Sequence, residues 1–419
     1  MKTTHTPFAF LFLCLIFKQM SFAQVSQSLT IEDCENLFLK KNLSLLAQQY
    51  NISAKQSLVI QAKAYPNPIF SADINLYDPQ NKKVLHIDSG GQKSFQVEQL
   101  ILLGGKRRTE IEIAKQSTVL AESEFADLLR NLKAQLSDRF YSINSQKVVI
   151  ENFQKQLQIL DTIINAYKTQ SDKGNLPLKD LIRLKSVYIK INGHKSELAS
   201  MNEEDQKQLK LLLQTNVDIN PVVSEDDFKK FVELKALSEL QTLAITNRPD
   251  LKIADQGALL AALALKREKK QAIPDVAVNA SYDQRGGAFR NQINAGISLP
   301  LPILNANRGN IKAAEYDKKA MDLYLQEKKL EVELDIQKAW STMQRSINEY
   351  TKVKELYNEE FLIVNKGIND NFNRRNISIL EFVDFVEAFN ESLADFERIK
   401  QQLAQSAAQI NYTTATKIY

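Results

Sequence analysis

Cysteine is almost missing from this 419-residue chain: only Cys14 and Cys34 are present, which excludes a disulfide framework within one chain. Three histidines and so few thiols also exclude a zinc cluster. Glycine (12) and proline (10) are scarce for the length, which removes collagen-like, linker-rich and low-complexity readings and favours long uninterrupted elements. Charge of one sign is lacking too, since 54 Lys and Arg face 50 Asp and Glu, a net +4 that leaves no basic excess for nucleic acid. Beyond the first 23 residues no run approaches eighteen consecutive apolar residues, so the remainder does not cross a membrane as a helix. No nucleophile-base constellation, phosphate loop or acidic metal cluster stands out, and Gly104-Gly105 and Gly286-Gly287 read as turn glycines. An enzyme acting on envelope polymers has only scattered carboxylates in its favour. The sequence therefore predicts no enzyme, no cofactor and no metal site, with His86 and His194 as ordinary surface or packing residues.

Residues 1–23 read as a secretory leader: Lys2 near the start, an apolar core from Phe8 to Phe17, and Ser21-Phe22-Ala23 before Gln24. The apolar run is about half of what a spanning helix needs. Leu13 before Cys14 does not suit lipid attachment. The exported chain is then either soluble or crosses a membrane as strands.

Heptads dominate the remainder. Ile150, Phe153, Leu157, Leu160, Ile164 and Tyr167 step by three and four inside a stretch free of Pro and Gly from Gly105 onward, which predicts a helix of about 65 residues. A second run passes through Leu181, Leu184, Tyr188, Ile191, Leu198, Leu209 and Leu212. A third runs from Trp340 through Tyr350 and Tyr357 to Ile368. The fourth reads Phe382, Phe385, Phe389, Ser392, Phe396, Ile399, Leu403, Ser406 and Ile410, alternating bulky and small in the way that interdigitating layers require. Short breaks at residues 173–177 and 371–378 predict two antiparallel helical hairpins with tight tips.

The hairpins repeat at an offset near 200. Asn175-Leu176-Pro177-Leu178 aligns with Asn376-Ile377-Ser378-Ile379, and Leu103 to Ala114 aligns with Leu304 to Ala314. Between a short helix and each hairpin lies a pair of segments with period-two alternation. Phe70, Ala72, Ile74 and Leu76 alternate with polar residues, as do Phe95 and Val97. Val276, Val278, Ala280 and Tyr282 do the same, and so do Ile293, Ala295, Ile297 and Leu299. Each has about the length of a tilted strand crossing an outer membrane. Four strands cannot close around water and lipid tolerates no open edge, so closure has to come from copies, three chains giving twelve strands. The competing reading is a soluble periplasmic scaffold in which a half-buried sheet caps a coiled coil.

At these blocks the chain resembles a known family. Tyr65-Pro66-Asn67-Pro68, Leu102-Leu103-Gly104-Gly105-Lys106-Arg107, and Leu299 to Asn305 followed by Arg308-Gly309-Asn310-Ile311-Lys312-Ala313-Ala314 are similar to the TolC-type outer membrane efflux proteins, the last block especially to their heavy-metal branch. The resemblance covers essentially the whole chain after the leader. It implies a mainly α fold with a small β part: duplicated long helical hairpins forming an α-barrel when trimeric, and four strands per chain in a 12-stranded transmembrane β-barrel. It implies a homotrimer in outer-membrane lipid, with its helices in the periplasm docking an adaptor protein and an inner-membrane pump, for metal ions or small toxic compounds. The exit duct of a type I protein secretion system shares that architecture. By the same resemblance Glu381 and Asp384, with Asp180 as their counterpart in the first hairpin, form the periplasmic gate. Three copies of each carboxylate around a threefold axis attract cations and strain one another. The tip residues Asn175, Leu176, Pro177, Asn376, Ile377 and Ser378 are the expected adaptor contacts, Leu176 and Ile377 having no evident core to join. Pro177 and Arg375 depart from the residues common in the family at the tips.

The expected organisation is a leader at 1–23, a first repeat at 24–218 with strands at 69–77 and 92–101, and an inter-repeat segment at 219–235. A second repeat then fills 236–419, with strands at 275–283 and 291–299.

Overall fold

The computed structural model describes residues 26–286, 288–357 and 359–419, so the leader expected over residues 1–23 lies outside the described residues. The chain enters through β1 (Ser26–Leu29), α1 (Ile31–Lys41) and α2 (Leu43–Lys63). It then forms β2 (Ile69–Ile74), the small hairpin β3 (Tyr77–Asp78) and β4 (Lys83–Val84), and β5 (Gln92–Ile101). The first long hairpin follows, α3 (Lys106–Asp172) and α4 (Leu178–Leu213). β6 (Asp218–Pro221) and α5 (Glu225–Phe231) lead into the second half, which opens with α6 (Leu237–Asn247) and α7 (Pro249–Gln271). The strands β7 (Val276–Arg285) and β8 (Phe289–Ser298) precede the second hairpin: α8 (Arg308–Leu356), α9 (Glu359–Asn373) and α10 (Ile379–Thr414).

The 67 residues of α3 make a helix of roughly 100 Å, uninterrupted because nothing in it breaks the backbone hydrogen-bond ladder. The third heptad run behaves differently. It is divided at Tyr357, which leaves helical geometry at φ −90°, ψ 67°, although neither Pro nor Gly stands nearby to announce it. The fourth run also shifts in its middle: Ser392 is exposed while Leu393 and Glu397 turn inward, because α10 packs against α3 as well as α8. The heptad seam assumed a single partner.

Two large cores and a small one, of Ala244, Leu251 and Val332, hold the described helices together. Nearer the tips, Val149, Phe153, Leu157 and Leu160 of α3 meet Leu184, Val187 and Ile191 of α4, with Phe372, Phe382, Val383 and Val386 of the second hairpin closing the cluster. Each such side chain contributes on the order of 1.5–3 kcal/mol by leaving water. At mid-height a larger core joins Phe38, Leu136, Phe140, Leu209, Ile336, Met343 and Leu403 to Phe228 and Phe231 of α5. There β1 pairs in parallel with β6, which ties the start of the described chain to the segment between the halves. Cys34 is fully buried in that core, and burial pushes its thiol up to about 12, so it packs as a small apolar group.

Candidate functional site

The four long strands form one antiparallel sheet in the order β2-β5-β7-β8. The register aligns the apolar alternations of all four: Phe70 faces Val97, Ala72 faces Phe95, Phe95 faces Tyr282, and Tyr282 faces Ile293. One surface of the sheet is therefore continuous in Phe, Val, Ile, Ala and Tyr, with Phe70, Phe95 and Tyr282 stacked at centroid spacings of 6.4 and 6.2 Å. The other surface carries Ser71, Asp73, Gln96, Asn279, Ser281, Asp283 and Asn294. The strand bounds shift slightly from expectation: β2 ends at Ile74 because the chain turns into β3, and β7 and β8 reach Arg285 and Phe289, with an irregularity between Asp283 and Arg285.

Apolar side chains stay exposed on this sheet, Phe70 at 67%, Ile293 at 84% and Ile297 at 75%, since nothing among the described residues covers them. Both edges are bare as well. β2 pairs only with β5, and β8 only with β7. An apolar surface of this size ending in unpaired N–H and C=O groups is unstable in water and equally unstable in lipid unless the edges meet. Beneath the sheet α2, α3, α7 and α8 pack side by side in the matching order.

Between β4 and β5 His86 is buried. Its Nδ1 lies 2.6 Å from Asp78 Oδ2 and its Nε2 3.0 Å from Asp88 Oδ1, so it fixes the β4–β5 connection in place. Among the described residues no group of three or more His, Cys, Asp or Glu is placed to hold a metal ion.

The expected gate residues lie just inside the tips, Asp180 on the first turn of α4 and Glu381 and Asp384 on the first two turns of α10. Ser378 caps α10, and Glu381 closes a capping box with it: its Oε2 accepts from the Ser378 backbone N–H and hydroxyl, both at 2.8 Å. Those bonds, the backbone one first, hold the Glu381 carboxyl below the usual glutamate range. Asp384, one turn on, is exposed, and Asp180 is half-buried at the equivalent position of α4. At the tips Asn175 Nδ2 donates to Gln170 at 2.8 Å and Asn376 Nδ2 to Asn371 at 3.1 Å, the same brace in both hairpins. Pro177 and Ser378 occupy the matching N-cap positions. One expectation is corrected here. Ile377 is half-buried against the core that holds Phe372 and Phe382, so it does have a core to join; Leu176 is half-buried too.

A group that the motifs did not single out sits at the root of the second hairpin. Arg248 is only 2% exposed, and it donates to both oxygens of Asp250 at 3.0 and 2.6 Å and to Asp335 of α8 at 3.0 Å. Arg130 of α3 lies 3.4 Å from Asp250 and caps the Tyr412 ring at 4.3 Å, so α3, α7, α8 and α10 meet through one charge network. Burial alone would raise the Asp250 carboxyl, but the Arg248 hydrogen bond and the charges of Arg130 and Arg248 hold it at about 2. The signal was present in Arg248-Pro249-Asp250, opposite charges on either side of a proline.

No protein-family model matches the chain. In sequence it is similar to the cobalt-zinc-cadmium resistance protein CzcC of Cupriavidus metallidurans, 24% identical over 313 residues that make up 71% of this chain and 69% of CzcC. In structure it superposes on the outer membrane channel CmeC of Campylobacter jejuni with a TM-score of 0.76, covering 92% of this chain and 86% of CmeC at 12% identity. CusC, described as forming a transmembrane channel, gives 0.73 over 92% and 91% of the two chains at 13% identity. The outer membrane protein VceC of Vibrio cholerae gives 0.71 over 93% and 97% at 12% identity. With superpositions that cover more than nine-tenths of the chain, the fold is that of the TolC-type outer-membrane channels that the sequence blocks resemble.

Proposed function

We propose that this protein is the outer-membrane channel component of a tripartite efflux system, a passive conduit from the periplasm to the exterior. The observation that carries this reading is the sheet: four strands, one face apolar and exposed, two edges unpaired, standing on helices long enough to reach far into the periplasm. Three copies joining β8 of one to β2 of the next remove every edge and give twelve strands, whose polar faces line a water-filled lumen. The helices below follow the same order and continue the wall. The tips at Asn175, Leu176 and Pro177 and at Asn376, Ile377 and Ser378 meet the adaptor and, through it, an inner-membrane pump. Glu381, Asp384 and Asp180 ring the periplasmic entrance. Metal ions are the substrate class we favour, because the sequence relative is named for cobalt, zinc and cadmium resistance.

The test is the mass of the protein extracted from the outer-membrane fraction in mild detergent, corrected for bound detergent. A species of three chains is expected. A monomer in the soluble periplasmic fraction overturns the barrel, and the channel with it.

A further inference from the structure

We propose that the junction between sheet and helices is a binding surface for anionic phospholipid headgroups of the leaflet facing the periplasm. The inference rests on the channel reading, which sets this junction at the membrane surface. The register fixes the level: Ile101 pairs with Val276 and Ala277 with Ser298, so the strands stop together.

Positive charge gathers just past that line. Residues 60–68, 102–112, 264–275 and 300–319 hold twelve Lys and Arg against six Asp and Glu, so they alone exceed the +4 of the whole chain and leave the rest slightly negative. Part of this charge is spent on structure. Lys106 is buried against Asp275 at 2.8 Å, and Lys270 donates to the Gly105 carbonyl at 3.0 Å and to Thr109 at 2.8 Å. Lys63, Arg308 and Lys312 are exposed and have no ion pair among the described residues.

The apolar neighbours of these cations face outward as well. The alternation of β8 runs on into Leu301, 68% exposed, and ends in Ile303 and Leu304, 81% and 100% exposed. Tyr316, 59% exposed, lies one turn beyond Lys312, with Lys319 Nζ 5.5 Å from its ring centroid. Aliphatic side chains that give way to cations, with a tyrosine among the cations, are what an interface of acyl chain, glycerol and phosphate requires.

A second copy of the chain does not supply the missing counter-charge. Closure of β8 on β2 brings α8 beside the neighbour's α2, and the 21 residues of α2 contain no Asp or Glu. Lys63 of that same α2 adds a further cation to the seam. A headgroup of net negative charge satisfies Arg308, Lys312 and Lys63 together, whereas a zwitterionic one brings its own ammonium.

The test uses the full-length protein in vesicles mixed from phosphatidylethanolamine and phosphatidylglycerol, with the lipid retained by the trimer counted by native mass spectrometry. Phosphatidylglycerol is expected to be enriched about fivefold over the bulk ratio, the factor that one surface cation contributes. The triple variant Lys63→Gln, Arg308→Gln, Lys312→Gln should fall to the bulk ratio while remaining trimeric. A control with Lys155, Lys168 and Lys185 each changed to Gln, all distant from the sheet, should keep the enrichment. A bulk ratio in the unmodified trimer overturns the proposal, as does enrichment that survives the triple variant. Dissociation of the triple variant overturns it too, because the cations would then act between copies. A monomeric soluble protein fails the channel reading instead, by a different readout.

Discussion

The two hairpins share a plan but differ in how they are held. The first is a 67-residue helix against a 36-residue one, joined through aliphatic layers such as Leu157, Leu160, Leu184 and Ile191. The second is interrupted at Tyr357, and its seam is aromatic: Tyr357 lies 4.5 Å from Phe396 and 4.7 Å from Phe361, Phe361 lies 5.2 Å from Phe389, and Phe372 lies 4.1 Å from Phe382. It also buries Glu397 at 4% exposure, with Oε2 lacking a hydrogen-bond partner and Oε1 3.2 Å from Lys400, while the Tyr357 hydroxyl is buried without a partner. The first hairpin leaves two amide atoms, Gln116 Nε2 and Gln156 Oε1, in the same condition among the described residues. A buried carboxylate oxygen costs more than an amide oxygen, so local misfit gathers in the second hairpin. The lesson is that duplication copies a scaffold and then specialises it: one arm is joined through aliphatic layers, and the other carries an interrupted helix and a buried carboxylate.

Four variants sharpen that contrast. The largest effect is expected from Arg248→Ala at the root of the second hairpin, which strands Asp250 and Asp335 and should cost about 3–5 kcal/mol, read as a lowered melting temperature of the detergent-solubilised protein. Because the Asp250 carboxyl is held at about 2, below its ordinary value, the network's contribution is complete above the usual aspartate range and is lost as pH falls through about 2. An unchanged melting temperature at neutral pH would break the assignment of this root as the anchor.

Next in size is the gate. Glu381→Ala with Asp384→Ala should raise single-channel conductance at neutral pH and abolish block by divalent cations, with Asp180→Ala doing less, since it removes one half-buried carboxylate where the second hairpin offers two exposed ones. Equal effects from the two hairpins would erase the distinction between them. The smallest effect is Glu397→Gln. Burial raises the Glu397 carboxyl despite Lys400, so the folded state binds its proton more tightly and loses stability as pH rises through that range. The neutral amide should raise the melting temperature slightly at pH 7 and leave it unchanged in acid, where the carboxyl is already protonated; a lowered value at pH 7 would show Lys400 to be the stronger influence.

Much of this was legible in residue order. Period-two alternation marked all four long strands because each has one wetted and one apolar face, and step-three-and-four periodicity marked α3 to within a few residues. The tips were legible because Lys173 to Pro177 and Asn371 to Ser378 interrupt that period. The break at Tyr357 was not, for lack of Pro or Gly, and the inward turn of Glu397 was hidden because a heptad describes one partner while α10 has two. At the tips the spacing that pointed to Glu381 as a gate residue equally described a capping box, a local bond to Ser378 that one chain already satisfies. The burial of His86 between Asp78 and Asp88 lay in a loop, where no period exists to read.

Sequence by itself determined the long strands, the two helical hairpins and the apolar face of each long strand, since these follow from the spacing of side chains along one backbone. Only the tertiary structure decided the strand order that leaves β2 and β8 bare, the register that merges four apolar faces into one, and the meeting of Arg130, Arg248, Asp250 and Asp335. Those depend on which segments far apart in the chain come into contact, and contact is settled by the combined burial of many residues.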